Sequence, residues 1–557
     1  MRSKLFLLAL AALCLLPGYA INAQSYAITN ARIVTVSGPT INRGTVVVRN
    51  GLIEAVGANL KAPADAQLFD ATGLTVYPGL IDALTNLGLP AARPATPGPG
   101  GPGGGQATAA AAAAAPTSNS NYPTGLQPDA TTFDELRAGE AQFEAVRNAG
   151  FTTVLTTGRT GIFTGQSAVI NLAGESVSEM VIRSPFAQHV TFTTIGQGRY
   201  PVSLLGTFSA LRQMFNDARR LDEVQKIYAA DPKGLRRPEA DKSLEALIPA
   251  LKRQMPVVFN ANTEIQIIRA LDLIKEYNLR GIIAGGNEAW KVADRLKAQN
   301  VPVLLSLNFP RRTAAITADA DPESMETLRL RAETPKGPGR LAAAGVKFAF
   351  HSGGATAIGD FFTNAARAVE NGLSKDAAVR AMTLGAAEVL GVDNRLGSIE
   401  AGKIANLTLV KGDIFARDRF VPQIIIDGKV FEQKEPVRPA GGRTPGTGPA
   451  GTPPSGLPNV AGTYTISIEI PGSPATATLT FTQQGSTITG TMVSSTLGTT
   501  QLTGGRVTAD GFSFGGVAQV SGQTVDFTAS GSVTGNQISG SMTSTLGTVS
   551  FSGTKNP

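Results

Sequence analysis

The sequence predicts an α/β protein: a βα barrel flanked by short β-strands, followed by a separate all-β domain. Three observations predict it. Helical and apolar strand patterns alternate between residues 74 and 390, as a βα barrel demands. Short strands bounded by turn signals stand on both sides of that region. After residue 435 the composition shifts to Pro, Gly and Thr, and then to alternating Thr/Ser/Gly segments.

The elements follow in order. Residues 1–23 read as a signal peptide. Arg2 and Lys4 form the basic region, Leu5 to Leu16 the apolar run, and Asn22-Ala23 precedes a cut before Gln24. The apolar run is shorter than the ~20 residues that span a bilayer, and no other segment reads as transmembrane. The expected location is periplasmic or secreted. Cys14 is the only cysteine. Leu13 stands before it where a lipoprotein signal needs a small residue. The mature chain therefore has no thiol, which excludes disulfides, thiolate metal sites and cysteine nucleophiles.

Residues 24–73 alternate apolar and polar positions, as in Ala31-Arg32-Ile33-Val34-Thr35-Val36, with turns at Asn50-Gly51 and Gly73. Residues 391–435 are again strand-like, notably Ile404 to Val410 and Ile424-Ile425-Ile426. The two segments are expected to form one small composite β-sandwich domain. Between them, Asn287 to Gln299 predicts an amphipathic helix, because Ala289, Val292, Ala293 and Leu296 repeat at helical spacing. Val301 to Leu307 and Val346 to Phe350 predict buried strands. Residues 89–124 form an insertion of Pro, Gly and Ala with little apolar bulk to bury. Residues 436–456 form a linker.

Residues 457–557 carry only five charged side chains: Glu469, Arg506, Asp510, Asp526 and Lys555. Their alternation predicts an antiparallel barrel or sandwich. A repeat is visible: Gly485-Ser-Thr-Ile-Thr-Gly-Thr-Met492 is echoed by Gly535-Asn-Gln-Ile-Ser-Gly-Ser-Met542. Repeated hairpins stack into one closed sheet. The exposed Thr and Ser faces suit a ligand- or surface-binding module as well as a passive sheet.

The 557-residue chain has a net charge of +7, or +5 without the leader's two basic residues. No Lys/Arg run or basic-aromatic stripe stands out, so nucleic acid is excluded as a partner.

Several motifs agree in order. Leu74 to Gly88 reads Leu-Thr-Val-Tyr-Pro-Gly-Leu-Ile-Asp-Ala-Leu-Thr-Asn-Leu-Gly. Gly150-Phe-Thr-Thr-Val-Leu155, Pro256-Val-Val-Phe-Asn-Ala-Asn262, Ile282-Ile-Ala-Gly-Gly-Asn-Glu-Ala289 and Leu396-Gly-Ser-Ile-Glu-Ala-Gly-Lys403 follow. Together they resemble the amidohydrolase superfamily, with the exported imidazolonepropionase-like members as the most similar group. The resemblance spans roughly residues 26–435. It implies a (β/α)8 TIM-like barrel and a metal-dependent hydrolase of non-peptide C–N bonds or of dipeptides. Zinc or another divalent ion would activate water.

The residues that should hold that ion differ. Leu84 and Asn86 stand where the first strand has its His-x-His pair. Asn260 and Gly285 stand in place of the next two histidines. Ser352 falls on the position of the last strand's aspartate, and a register shift of one would put His351 there. Leucine and glycine offer no donor, and asparagine is a poor substitute for imidazole. No resident cofactor is expected, and the leading reading is a catalytically inactive pseudo-enzyme that binds or scaffolds. The alternative is an active, metal-poor hydrolase around His351, Asn260, Asn262 and Glu288. His189, the other histidine, reads as structural. The expected pocket ligand is an uncharged polar small molecule, and homo- or hetero-oligomers are open.

Overall fold

Strand Leu74–Pro78 is the seam of the N-terminal region. It pairs parallel with the chain's first strand, Arg32 with Thr75 and Ile33 with Val76. On its other edge it pairs antiparallel with Leu407–Lys411. Segments more than 300 residues apart in sequence thus share one eight-stranded sheet, as the composite domain requires. The sheet curls on itself. Leu52 bridges Ile404, and the Ile53 N–H donates to the Lys403 carbonyl at 2.8 Å. Ile33, Val46, Val48, Ile53, Leu407, Leu409 and Ile425 fill the enclosed core.

This is a computed structural model, and it describes residues 25–90, 122–123, 125–139, 141–195, 200–311, 323–353, 358–433, 458–468, 475–494, 498–508, 511–520, 523–544 and 547–556. The leader, nearly all of the 89–124 insertion and the 436–456 linker lie outside the described residues. By internal contacts the chain divides into two units, Met1–Val437 and Arg438–Pro557. Among the described residues no helix is long and apolar enough to cross a membrane.

Among the described residues the barrel has seven parallel strands: Leu80–Thr85, Phe151–Thr156, Gln188–Thr191, Val257–Ala261, Gly281–Gly285, Val303–Ser306 and Phe348–His351. An eighth stave runs the other way. Phe163–Gln166 pairs antiparallel with Gln188–Thr191, and Ala168–Asn171 pairs antiparallel with Phe151–Thr156. A short loop joins this stave to Phe151–Thr156, and the segment to Gln188–Thr191 holds a one-turn helix, Val177–Met180, and a strand, Val181–Arg183, that pairs antiparallel with Ala168–Asn171. Ile81, Ala83, Leu155, Val169, Val258, Ile282, Ala284, Leu304 and Ala349 form the interior cluster. The opposite strand faces, with Val154, Val257, Phe259, Ile283, Leu305 and Phe350, pack against helix residues such as Ile267, Leu271, Leu296 and Phe361. Each such buried side chain stabilises the fold by about 1.5–3 kcal/mol.

Two of the sequence motifs meet in space. A Cβ on Gly79 would sit 2.1 Å from Thr152 Oγ1, so only glycine lets the Pro78-Gly79 turn lie against the Gly150-Phe-Thr-Thr strand. The helix Glu264–Glu276 begins with a capping box in which Thr263 and Gln266 satisfy each other's backbone N–H groups. The predicted helix over 287–299 is split. A 3-10 turn, Ala289–Val292, precedes a short α-helix, Ala293–Ala298. The tighter winding keeps Ala289 and Val292 both buried, while the Trp290 ring packs under Arg340 at 4.1 Å.

The second unit is a closed antiparallel barrel of eight strands with a short ninth, Gly498–Gln501, paired to Thr487–Ser494. Closure comes from Ala475–Gln484 pairing with both Gly462–Ile468 and Thr487–Ser494. The repeated hairpins turn at Gly485 and Gly535, both at φ 62°. Tyr464, Leu479, Phe481, Phe512, Phe514 and Phe551 lie in its core.

Candidate functional site

The strand Leu80–Thr85 carries a bulge. Asp82 pairs with Val154 and Thr85 with Thr156, so one extra residue is accommodated between them. Asp82 therefore shares the outer face of Val154, while Leu84 packs against the interior cluster. Asp82 is fully buried and accepts three hydrogen bonds: from the Ser352 N–H at 2.9 Å, from the Ser352 hydroxyl, and from the Leu84 N–H at 3.4 Å. Burial pushes its carboxyl up to about 7, and the bonds from Ser352 work against that rise.

That contact resolves which side chain faces the interior at the end of the last strand. Ser352 is turned toward Asp82. His351 is two residues on from interior-facing Ala349 and is the Cα partner of Ser306, itself two residues on from interior Leu304. His351 is 5% exposed, and neither ring nitrogen has a hydrogen-bond partner among the described residues. Burial lowers its pKa to about 4, so the imidazole is neutral at pH 7. Thr157, two residues past interior Leu155, likewise has a buried Oγ1 with no partner among the described residues.

Asn260 shares the face of interior Val258 and is exposed at its strand's C-terminal end. Asn86 is half-buried, and its carbonyl accepts from Arg159 at 3.2 Å. Gly285 is at φ 91°, and a Cβ there would lie 2.3 Å from Asn262 Oδ1. The Asn262 amide thus fills the space a side chain at 285 would need. Glu288 is engaged elsewhere, accepting from the Glu264 N–H at 2.8 Å at the helix start and from Lys291 at 2.7 Å. His189 also faces the interior, but its Nε2 meets Ser167 Oγ at 2.8 Å. Burial lowers its pKa to about 3, which fits a structural role.

As a donor set this does not fit a divalent ion. Leu84 and Gly285 bring no lone pair, the Ser352 hydroxyl is given to Asp82, and His351 is a single imidazole. Among the described residues no group of three or more His, Cys, Asp or Glu side chains is placed to hold a metal. Alternation puts His351 and Asn260 at interior-facing positions near their strands' C-terminal ends, and Leu84 packs on the interior cluster, whereas Glu288 is bonded to Glu264 and Lys291. Sequence reading missed Asp82 as a working residue. Its signal was a carboxylate in an otherwise apolar strand, with no cation in the motif to neutralise it.

Comparison with known proteins agrees with this architecture. The model of the amidohydrolase family matches residues 137–442, more than half of the chain. Among solved structures, the chain is similar to an amidohydrolase from Thermotoga maritima MSB8, at 23% identity over 73% of this chain and 100% of that one, with a TM-score of 0.59. A Xaa-Pro dipeptidase with bound methionine in its active site matches at 17% identity over 74% of this chain and 100% of that one, with a TM-score of 0.45. A dihydropyrimidinase from Brevibacillus agri NCHU1002 matches at 13% identity over 73% and 95%, with a TM-score of 0.40. The first likeness supports the fold alone. No curated protein matches the chain.

Proposed function

Because the chain belongs to the amidohydrolase family, we propose that it keeps the family's barrel without the family's metal chemistry. It binds an uncharged polar small molecule at the C-terminal mouth of the barrel and does not hydrolyse it. One observation carries this reading: the buried His351 imidazole, neutral and without a partner at either nitrogen among the described residues. A neutral imidazole offers one donor and one acceptor. Each left unsatisfied costs about 1–3 kcal/mol. A ligand with complementary groups, such as an amide or ureide, recovers that energy. Asn260 at the rim adds a second neutral donor and acceptor. Among the described residues no carboxylate at this end of the barrel is placed to activate water, since the Asp82 carboxyl is turned outward and bonded to Ser352.

The rival reading, a metal-free hydrolase built on His351, loses one of its members because Glu288 caps a helix instead. Calorimetric titration with neutral amides, cyclic ureides and dipeptides, run beside a hydrolysis assay, separates the two. The expected result is binding weakened at least about tenfold by His351→Ala, with no turnover above background. Hydrolysis that persists in chelating buffer and disappears in His351→Ala would establish the rival.

A further inference from the structure

We propose a second binding site, at the opposite end of the barrel from His351, for a compact polyanion bearing phosphate groups. A cleft of about 520 Å³ opens among the N-terminal ends of the parallel strands. Arg280 and Lys347 line it, immediately before strands Gly281–Gly285 and near Phe348–His351, and Lys275 reaches it from the last turn of helix Glu264–Glu276. The one carboxylate on its wall, Glu388, is engaged by Arg380.

The bland explanation is that cations gather here to complement helix C-termini, which in a βα barrel all point to this end. Two neighbouring cations do that work. Arg253 donates to the Asn278 and Leu279 carbonyls at 2.9 and 3.4 Å, and Lys297 donates to the Gly345 carbonyl at 2.8 Å. Lys275, Arg280 and Lys347 make no such bond and no ion pair among the described residues. The two helices that end at the cleft, Glu264–Glu276 and Ala293–Ala298, contribute roughly −0.5 charge each. Arg253 lines the cleft as well, and Glu388 is offset by Arg380, so the wall stays net positive even against the two helix ends and favours an anion. A guanidinium fork beside two ammonium groups suits phosphate oxygens, which accept bidentate and point-charge contacts together.

The phosphate can come from a free small molecule or from a lipid headgroup. The full-length protein is titrated calorimetrically with pyrophosphate at low ionic strength. In parallel it is floated with phosphatidylcholine vesicles containing phosphatidylglycerol. The expected result is saturable binding that weakens at least about tenfold in the Arg280→Gln/Lys347→Gln double variant. Binding should be unchanged in Arg236→Gln, which removes an exposed cation elsewhere. Flotation lost in the double variant identifies the headgroup as the source. Pyrophosphate binding without flotation identifies a free ligand. No saturable binding of either probe, or equal affinity in a double variant that melts normally, overturns the proposal.

Discussion

Ser352 holds Asp82 through two hydrogen bonds, its N–H donating to Oδ1 at 2.9 Å and its hydroxyl donating to Oδ2. Ser352, one of the two residues that sequence reading set against the family's carboxylate, thus serves another, buried carboxyl. Ser352→Ala removes one bond from a fully buried acceptor and should destabilise the protein by about 1–3 kcal/mol in urea unfolding. Ser352→Asp should cost more, because it sets two carboxyls in contact away from water. That deficit should shrink at pH 5, where one of the two takes a proton. A Ser352→Asp variant as stable as the wild type at pH 7 would contradict this account of the contact.

The buried titratable groups predict an acid-sensitive fold. His189 and His351 have pKa values depressed from 6.5 to about 3 and about 4. Their contribution is fully present above pH 6.5 and is lost as pH falls toward those values. Asp82 acts the other way. Its pKa is raised from 3.8 to about 7, so its contribution is present below 3.8 and lost as pH rises through 7. Between pH 6.5 and 4 two groups oppose one. The net loss is about 1.4 kcal/mol per pH unit. His351→Gln should leave His189 and Asp82 opposed and flatten the profile of Tm against pH. An unchanged slope in that variant would show that His351 is not buried neutral.

Gly285 marks how firmly the altered site is built in. Its backbone is at φ 91°, and Asn262 fills the adjoining space. Gly285→His, which puts an imidazole where sequence reading expected the family's, should cost about 1–3 kcal/mol from backbone strain alone. Asn262→Ala in the same chain should recover only the steric part. A Gly285→His variant with wild-type Tm would mean that the backbone relaxes freely here.

The barrel and its flanking sheet were legible because their signals are local and redundant. Pro78-Gly79 and Gly150-Phe151-Thr152 are separate in sequence, yet both are constrained by one contact, Gly79 against Thr152. The reversed stave Phe163–Asn171 was not legible, since direction is set by which neighbour a strand meets and not by its own alternation. The side chain facing the interior at the last strand's end was also hidden. Sequence left Ser352 and His351 open, and the choice rests on Asp82, some 270 residues away in the chain. The basic cleft was invisible for the same reason: Lys275, Arg280 and Lys347 form no run.

The second unit should fold alone. Its strands close on themselves, and Phe481 packs against Phe512 and Phe514 at ring distances of 5.2 and 5.5 Å. A fragment of residues 458–557 should unfold cooperatively, and Phe481→Ala should destabilise it by about 3–5 kcal/mol. An unfolded fragment alongside a stable full chain would show that the two units depend on each other.

The central claim is that the barrel has lost its metal chemistry along with its ligands. Elemental analysis of the full-length protein, after incubation with zinc and mild dialysis, tests it most directly. The account predicts well under one zinc, iron or manganese ion per chain, with no change on His351→Ala. One tightly held ion per chain, released by that substitution, would contradict it.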